Sequence, residues 1–132
     1  MQYPLEYSAK IRVNYYDTDQ MGVVWHGNYL KYFEDAREEM LRSLGCPYQE
    51  IERDGVIMPV VDVALRYLYP ARYGDVLTVK VIVKEPPRAR MSLSYEVTDG
   101  EGRLCTTGST TLTFVSAKTM TPCRPPAVLR AN

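Results

Sequence analysis

Only one histidine, His26, occurs in the chain. A zinc site built on imidazoles therefore lacks ligands, and the cysteines and carboxylates do not cluster at ligand spacing to replace them. Metal-dependent hydrolysis is not expected, and any nucleophile paired with a histidine base has to pair with this one. Cysteine is scarce as well. Cys46, Cys105 and Cys123 are an odd number at wide spacing, which fits reduced thiols better than a disulfide framework. An excess of either charge is also missing, with 16 Lys and Arg against 16 Asp and Glu. Without a surplus of positive charge, sequence-independent affinity for a phosphodiester backbone is not available, so nucleic acid is not an expected partner. No run approaches the roughly 20 apolar residues of a membrane helix. The start, Met1-Gln2-Tyr3-Pro4-Leu5-Glu6, has neither the basic end nor the apolar run of a signal peptide. The expectation is a cytoplasmic protein without stable membrane insertion. With 132 residues there is room for one core and not for two, so residues 1–132 are expected to form a single domain.

What the chain does have is periodicity. Tyr7, Ala9, Ile11, Val13 and Tyr15 alternate with Ser8, Lys10, Arg12 and Asn14, the pattern of a half-buried strand. From Asn28 the apolar spacing changes to about 3.6, with Leu30, Phe33, Ala36, Met40, Leu41 and Leu44 on one face. Asn28 is positioned as N-cap and Gly45 as C-terminal glycine, so the spacing predicts a helix over 28–44. Glu34, Asp35, Glu38 and Glu39 read as its solvated face, with Arg37 and Arg42 as compensating charge. Alternation then returns in four runs, at 61–68, 77–84, 91–98 and 104–115, with an Asp99-Gly100 hairpin signal before the last. Short connections leave no room for crossover helices, so the runs are expected to form an antiparallel meander. A tail from about residue 117, containing Pro122, Pro125 and Pro126, reads as irregular. The expected class is α+β: a curved antiparallel sheet of about five strands around one long helix, its open face covered by a second subunit.

Chemistry concentrates between Tyr15 and Tyr29. Asp17 and Asp19 stand in a turn-forming cluster shortly before the helix, so fixed anions lie close in sequence to the positive end of a helix dipole. Backbone N–H groups of a first helical turn can hold a carbonyl oxygen as it becomes an oxyanion. A carboxylate opposite can attack the carbonyl carbon or deprotonate water. Together these are the parts of an acyl-transfer site. Aspartates before a glycine also make ordinary side-chain turns, and the residues alone leave that reading open. Trp25, Tyr29, Met58 and Pro59 are candidates to line an acyl pocket.

The string Asp17-Thr18-Asp19-x-x-Gly22-x-Val24-x-His26-x-Asn28-Tyr29, continued by Tyr32-Phe33-Glu34-x-Ala36-Arg37, resembles the signature of hot-dog-fold acyl-CoA thioesterases of the 4-hydroxybenzoyl-CoA thioesterase type. The string resembles in particular the bacterial branch associated with the Tol-Pal gene cluster. The likeness continues through Met58-Pro59-Val60-Val61 and Tyr73-Gly74-Asp75-Val76-Leu77. It implies a hot-dog fold, hydrolysis of an acyl-CoA thioester, no metal and no redox cofactor. It also implies a homodimer or a dimer-of-dimers homotetramer. The resemblance places the catalytic carboxylate, nucleophile or general base, on Asp19 and not Asp17. The backbone oxyanion donor falls on His26, with Gly27 beside it, and the His26 side chain is a candidate to orient Asp19 or water. His26 matches the Tol-Pal-linked branch, where the aromatic-CoA enzymes carry tyrosine. By the same likeness Arg88 and Arg90, in the loop Lys84–Arg90, are candidates for the CoA phosphates, with Arg72 as an alternative. Two other readings compete: a hot-dog dehydratase or hydratase, and a non-catalytic acyl-CoA binder.

Overall fold

The computed structural model describes residues 1–131; Asn132, the last residue of the expected domain, lies outside them. Strand β1 (Leu5–Arg12) follows the first alternating run but ends three residues early. Tyr15–Asp17 winds into a single 3-10 turn, in which the Asp17 carboxylate accepts the Asn14 N–H at 3.0 Å. The long helix α1 (Asn28–Ser43) matches the predicted span to within one residue. Its N-cap is Gly27 and not Asn28. The Asn28 side chain instead donates to the Asp17 carbonyl at 2.8 Å, lashing the preceding loop to the helix start. At the other end Gly45 takes φ +80, its N–H reaching the Arg42 carbonyl and the Cys46 N–H that of Leu41. That pair of bonds closes the helix as a Schellman cap, which a glycine makes without steric cost.

A short helix α2 (Tyr48–Arg53) and a two-residue strand β2 (Val56–Ile57) fill the stretch before β3 (Val60–Tyr67). Then come β4 (Val76–Val83), β5 (Arg90–Thr98), β6 (Leu104–Thr113) and β7 (Val115–Ser116), which pairs with β2. The main sheet has five strands in the order β1-β4-β5-β6-β3, every pair antiparallel. The expected four-run meander holds only for β4, β5 and β6. Strand β3 pairs with β6, not β4. The chain returns through residues 68–75, which pass the end of the sheet. There the Val24 N–H bonds the Ala71 carbonyl and the Val13 N–H that of Asp75.

The sheet curls around α1. Leu77, Val79, Val81, Val83, Met91, Leu93, Tyr95 and Val97 face inward and are buried, while Thr78, Lys80, Ser92, Ser94 and Glu96 face outward. Phe33 stacks on Tyr95 with ring centroids 4.1 Å apart. The outer face of β4 and β5 is thus polar at these positions. Apolar side chains are exposed on the edge strand β3 instead, where Val60, Val61, Val63 and Tyr67 are 41–48% accessible. Arg37 also departs from expectation. It turns into the core, donating from Nε to the Tyr48 hydroxyl at 2.6 Å and from Nη1 to that of Tyr95 at 3.0 Å. Arg42 stays outside and pairs with Glu38. Among the described residues no helix is long and apolar enough to cross a membrane.

Candidate active site

The loop between β1 and α1 separates its two aspartates by burial. Asp17 is 1% exposed. One of its oxygens accepts Lys31 Nζ at 2.8 Å and the other accepts the Asn14 N–H and the Tyr32 hydroxyl, each at 3.0 Å. Burial alone would push this carboxyl up, but the ammonium and the two other donors outweigh it and hold it below the usual carboxylate range. The Asp17 carbonyl is occupied too, by the Trp25 N–H and the Asn28 side chain. Every acceptor of Asp17 is thus committed to holding the loop.

Asp19 is exposed and only half committed. Its Oδ1 accepts the Met21 N–H at 2.8 Å and the Val23 N–H at 3.4 Å, which fixes the carboxylate through its own turn. The turn closes with Gly22 at φ +80, a left-handed conformation that favours glycine. Oδ2 has no partner among the described residues and is available for chemistry.

Asp19 lines a cavity of about 560 Å³ together with Val23, Val24, His26, Tyr29, Tyr67, Leu68, Tyr69 and Pro70. Its walls are aromatic and aliphatic apart from Asp19 and His26, as an acyl group requires. Where α1 begins, the N–H groups of Trp25, Asn28, Tyr29 and Leu30 all have acceptors. Those of His26 and Gly27 have none among the described residues, so two consecutive donors are left free at the positive end of the helix. The Tyr67 hydroxyl donates to the His26 carbonyl at 3.1 Å and holds the peptide joining His26 to Gly27. A Cβ on Gly27 would lie 2.1 Å from the Trp25 ring, so glycine is what lets the indole lie over the backbone there.

The other sequence candidates are distributed as follows. Tyr29 lies in the cavity wall, and burial pushes its phenol up. Trp25 faces a second hollow of about 680 Å³ on the other side of Asp19, with Tyr15, Tyr16, Thr18, Gln20 and Asn28. Met58, half-buried against the core, and Pro59, exposed before β3, are not brought to the cavity within one chain. Arg88 and Arg90 lie at the opposite end of the sheet, in two separate clefts. Sequence reasoning missed Tyr67, Leu68, Tyr69 and Pro70, which reach the site only because the chain crosses the sheet end after β3. Tyr69 is itself held by Arg103, whose guanidinium stands 4.3 Å over the ring and donates to the hydroxyl at 2.8 Å. Among the described residues no group of three His, Cys, Asp or Glu side chains gathers as metal ligands would.

Comparison with known proteins shows the family. The Thioesterase-like superfamily profile matches residues 13–132. The Synechocystis protein sll0410 is 37% identical over 110 residues, 83% of this chain and 66% of that one, so the match spans just under two thirds of the relative's length. The acyl-CoA thioester hydrolase YbgC of Escherichia coli is 29% identical over 85% of this chain and 84% of its own. The solved structure of the DHNA-CoA thioesterase from Staphylococcus aureus superposes with a TM-score of 0.86 at 37% identity, covering 90% of this chain and 80% of that one. On profile, relatives and superposition together, the chain belongs to the Thioesterase-like superfamily and carries its hot-dog fold.

Proposed function

We propose that residues 1–132 act as one thioesterase domain that hydrolyses an acyl-CoA thioester to a carboxylic acid and coenzyme A, with Asp19 as the reacting carboxylate. The observation that carries this reading is that Asp19, with one uncommitted carboxylate oxygen, and His26, whose backbone N–H is unpaired at the helix start beside that of Gly27, line one apolar cavity. With the acyl chain among Tyr29, Tyr67, Leu68 and Pro70, the thioester carbonyl oxygen meets the N–H groups of His26 and Gly27. Each such donor is worth about 2.7–4 kcal/mol as negative charge develops on the oxygen. Asp19 Oδ2 then acts in one of two ways. As nucleophile it bonds to the carbonyl carbon, the C–S bond breaks, coenzyme A leaves as thiolate, and water hydrolyses the resulting anhydride to restore the carboxylate. As general base it takes a proton from water, whose oxygen attacks the carbon directly; the C–S bond then breaks, coenzyme A leaves as thiolate, and the proton held on the carboxyl passes to that sulfur. The His26 side chain, in ring contact with Trp25 and Tyr67, orients the water in this reading. None of these residues needs a metal or a redox cofactor for this chemistry.

Several finer assignments accompany the proposal. His26, in place of the tyrosine of the aromatic-CoA enzymes, supports the Tol-Pal-associated branch of the 4-hydroxybenzoyl-CoA type. Free cysteines, two of them buried, fit a cytoplasmic location. An eight-residue edge strand with no buried residue supports a homodimer through β3, which a second pairing would extend to a homotetramer. Antiparallel pairing of two such strands brings the Met58-Pro59 end of one beside the Tyr67 end of the other, so the partner copy would supply those two residues to the cavity rim.

The test is a panel of acyl-CoAs assayed for released thiol. Removing a general acid–base group costs about 10²–10⁴-fold, so Asp19→Asn should lose at least several hundredfold while its circular dichroism stays that of the wild type. Equal activity in the variant would remove Asp19 from the mechanism, and a wild type that binds the esters without releasing thiol would make the chain a binder.

A further inference from the structure

The two free N–H groups at the start of α1 belong to consecutive peptides, and the carbonyl of each peptide is engaged. The His26 N–H shares a peptide with the Trp25 carbonyl, which accepts the Asn28 N–H at 2.9 Å. The Gly27 N–H shares one with the His26 carbonyl. That carbonyl receives the Tyr29 N–H only at 3.4 Å, and the next helical bond, from the Leu30 N–H to the Gly27 carbonyl, is 3.3 Å long. Both exceed the usual N–H···O range, so the helix's own bonds grip the His26–Gly27 peptide loosely. The shorter bond comes from outside the helix, where the Tyr67 hydroxyl donates to the His26 carbonyl at 3.1 Å. Tyr67 is the last residue of β3, in register with Thr106 of β6. Its ring stands against those of His26 and Tyr29, with centroids 5.9 and 5.7 Å away. Strand and ring contacts together aim the hydroxyl. Partial burial pushes the phenol up, so it keeps the proton it donates.

We propose that Tyr67 is a positioning residue for the hydrolysis: by donating to the His26 carbonyl it fixes the peptide and polarises the Gly27 N–H that meets the thioester oxygen. The inference rests on the thioesterase reading above. A peptide is one conjugated unit, so a hydrogen bond donated to its oxygen draws charge from its nitrogen and leaves the N–H more positive. The gain is greatest where negative charge develops on the thioester oxygen, which happens in the transition state and not in the bound ester. Tyr67 is also part of the cavity wall. An acyl chain lying against it excludes water from the hydroxyl and strengthens the bond in the complex. Tyr67 thus acts through the peptide, without contact to the reacting atoms.

Tyr67→Phe removes the hydroxyl and keeps the ring. Losing one neutral hydrogen bond should lower kcat about three- to tenfold for the best acyl-CoA of the panel. KM should stay as in the wild type, because the loss falls on the transition state and not on the bound ester. A second measurement needs no turnover. The same acyl-CoA, isotope-labelled at its carbonyl and bound to Asp19→Asn, should show its carbonyl stretch at lower frequency than in water by difference infrared spectroscopy. Adding Tyr67→Phe should move that band back toward the position of the free ester. Tyr67→fluorotyrosine, a more acidic donor of nearly the same shape, should move it further down. A raised KM at unchanged kcat in Tyr67→Phe would make the residue a plain wall of the cavity and overturn the proposal. So would a carbonyl band that ignores every change at residue 67. Should the wild type release no thiol, the thioesterase reading falls, while the infrared arm, run with the acyl-CoA that binds most tightly, still decides whether Tyr67 polarises the peptide. A chain that binds none of the esters would overturn both.

Discussion

Two aspartates two positions apart show how burial divides identical side chains between structure and chemistry. Asp17 accepts five hydrogen bonds through its carboxylate and carbonyl, and Asp19 keeps one oxygen free. The pH response of Asp17 follows from its depressed pKa. A carboxyl held below its ordinary value in the fold contributes stability that is complete above the unfolded value, near 3.8, and is lost as pH falls through the folded one. Thermal midpoints measured from about pH 7 down to pH 2 should therefore converge for wild type and Asp17→Asn at the acid end. At neutral pH the variant should melt lower, because the amide cannot pair with Lys31. Midpoints that run parallel across the whole range would show that Asp17 does not carry this pH dependence.

At the scale of elements, α1 meets β6 where Phe33 lies over Gly108. A Cβ on Gly108 would lie 2.6 Å from Phe33 and 2.8 Å from the Ala64 carbonyl of the neighbouring strand. Phe33 is already clamped against Tyr95, and a ladder carbonyl cannot move aside, so Gly108→Ala should cost about 1–3 kcal/mol. Urea unfolding with an unchanged slope and a lower midpoint would show it, whereas an unshifted midpoint would mean that helix and sheet slip past each other freely. The helix and the long strands were legible because periods of 3.6 and 2 are local properties of the chain. What depends on neighbours distant in sequence was not. The pairing of β3 with β6 is set by where residues 68–75 cross, and the Tyr67–Pro70 wall of the cavity follows from that crossing. Arg37 looked like a surface charge, yet it is drawn inward by the hydroxyls of Tyr48 and Tyr95, residues 11 and 58 positions away. The Asp19-to-helix arrangement could be read because both its parts lie within one short loop.

For the whole molecule, the decisive feature is the bare edge. Strand β3 offers one row of unpaired backbone groups and carries exposed Val60, Val61, Val63 and Tyr67, without a proline or lysine to discourage pairing. Val63 lies opposite the buried Thr110, so its side chain points to the helix side of the sheet, where a second copy would cover it. Wild-type chains should therefore run in light scattering as a multiple of 15.1 kDa. Val63→Lys places an ammonium in that seam and should shift the population toward the single-chain mass without disturbing the core, since the residue is 41% exposed in the isolated chain. The same substitution does not touch Asp19. Because pairing through β3 brings the partner's Met58 and Pro59 to the cavity rim, KM for a coenzyme A ester should nevertheless rise as the mass falls, and dilution of the variant should steepen the effect. A variant that dissociates while keeping its KM would remove those two residues from substrate binding, and one that stays assembled would move the interface away from β3.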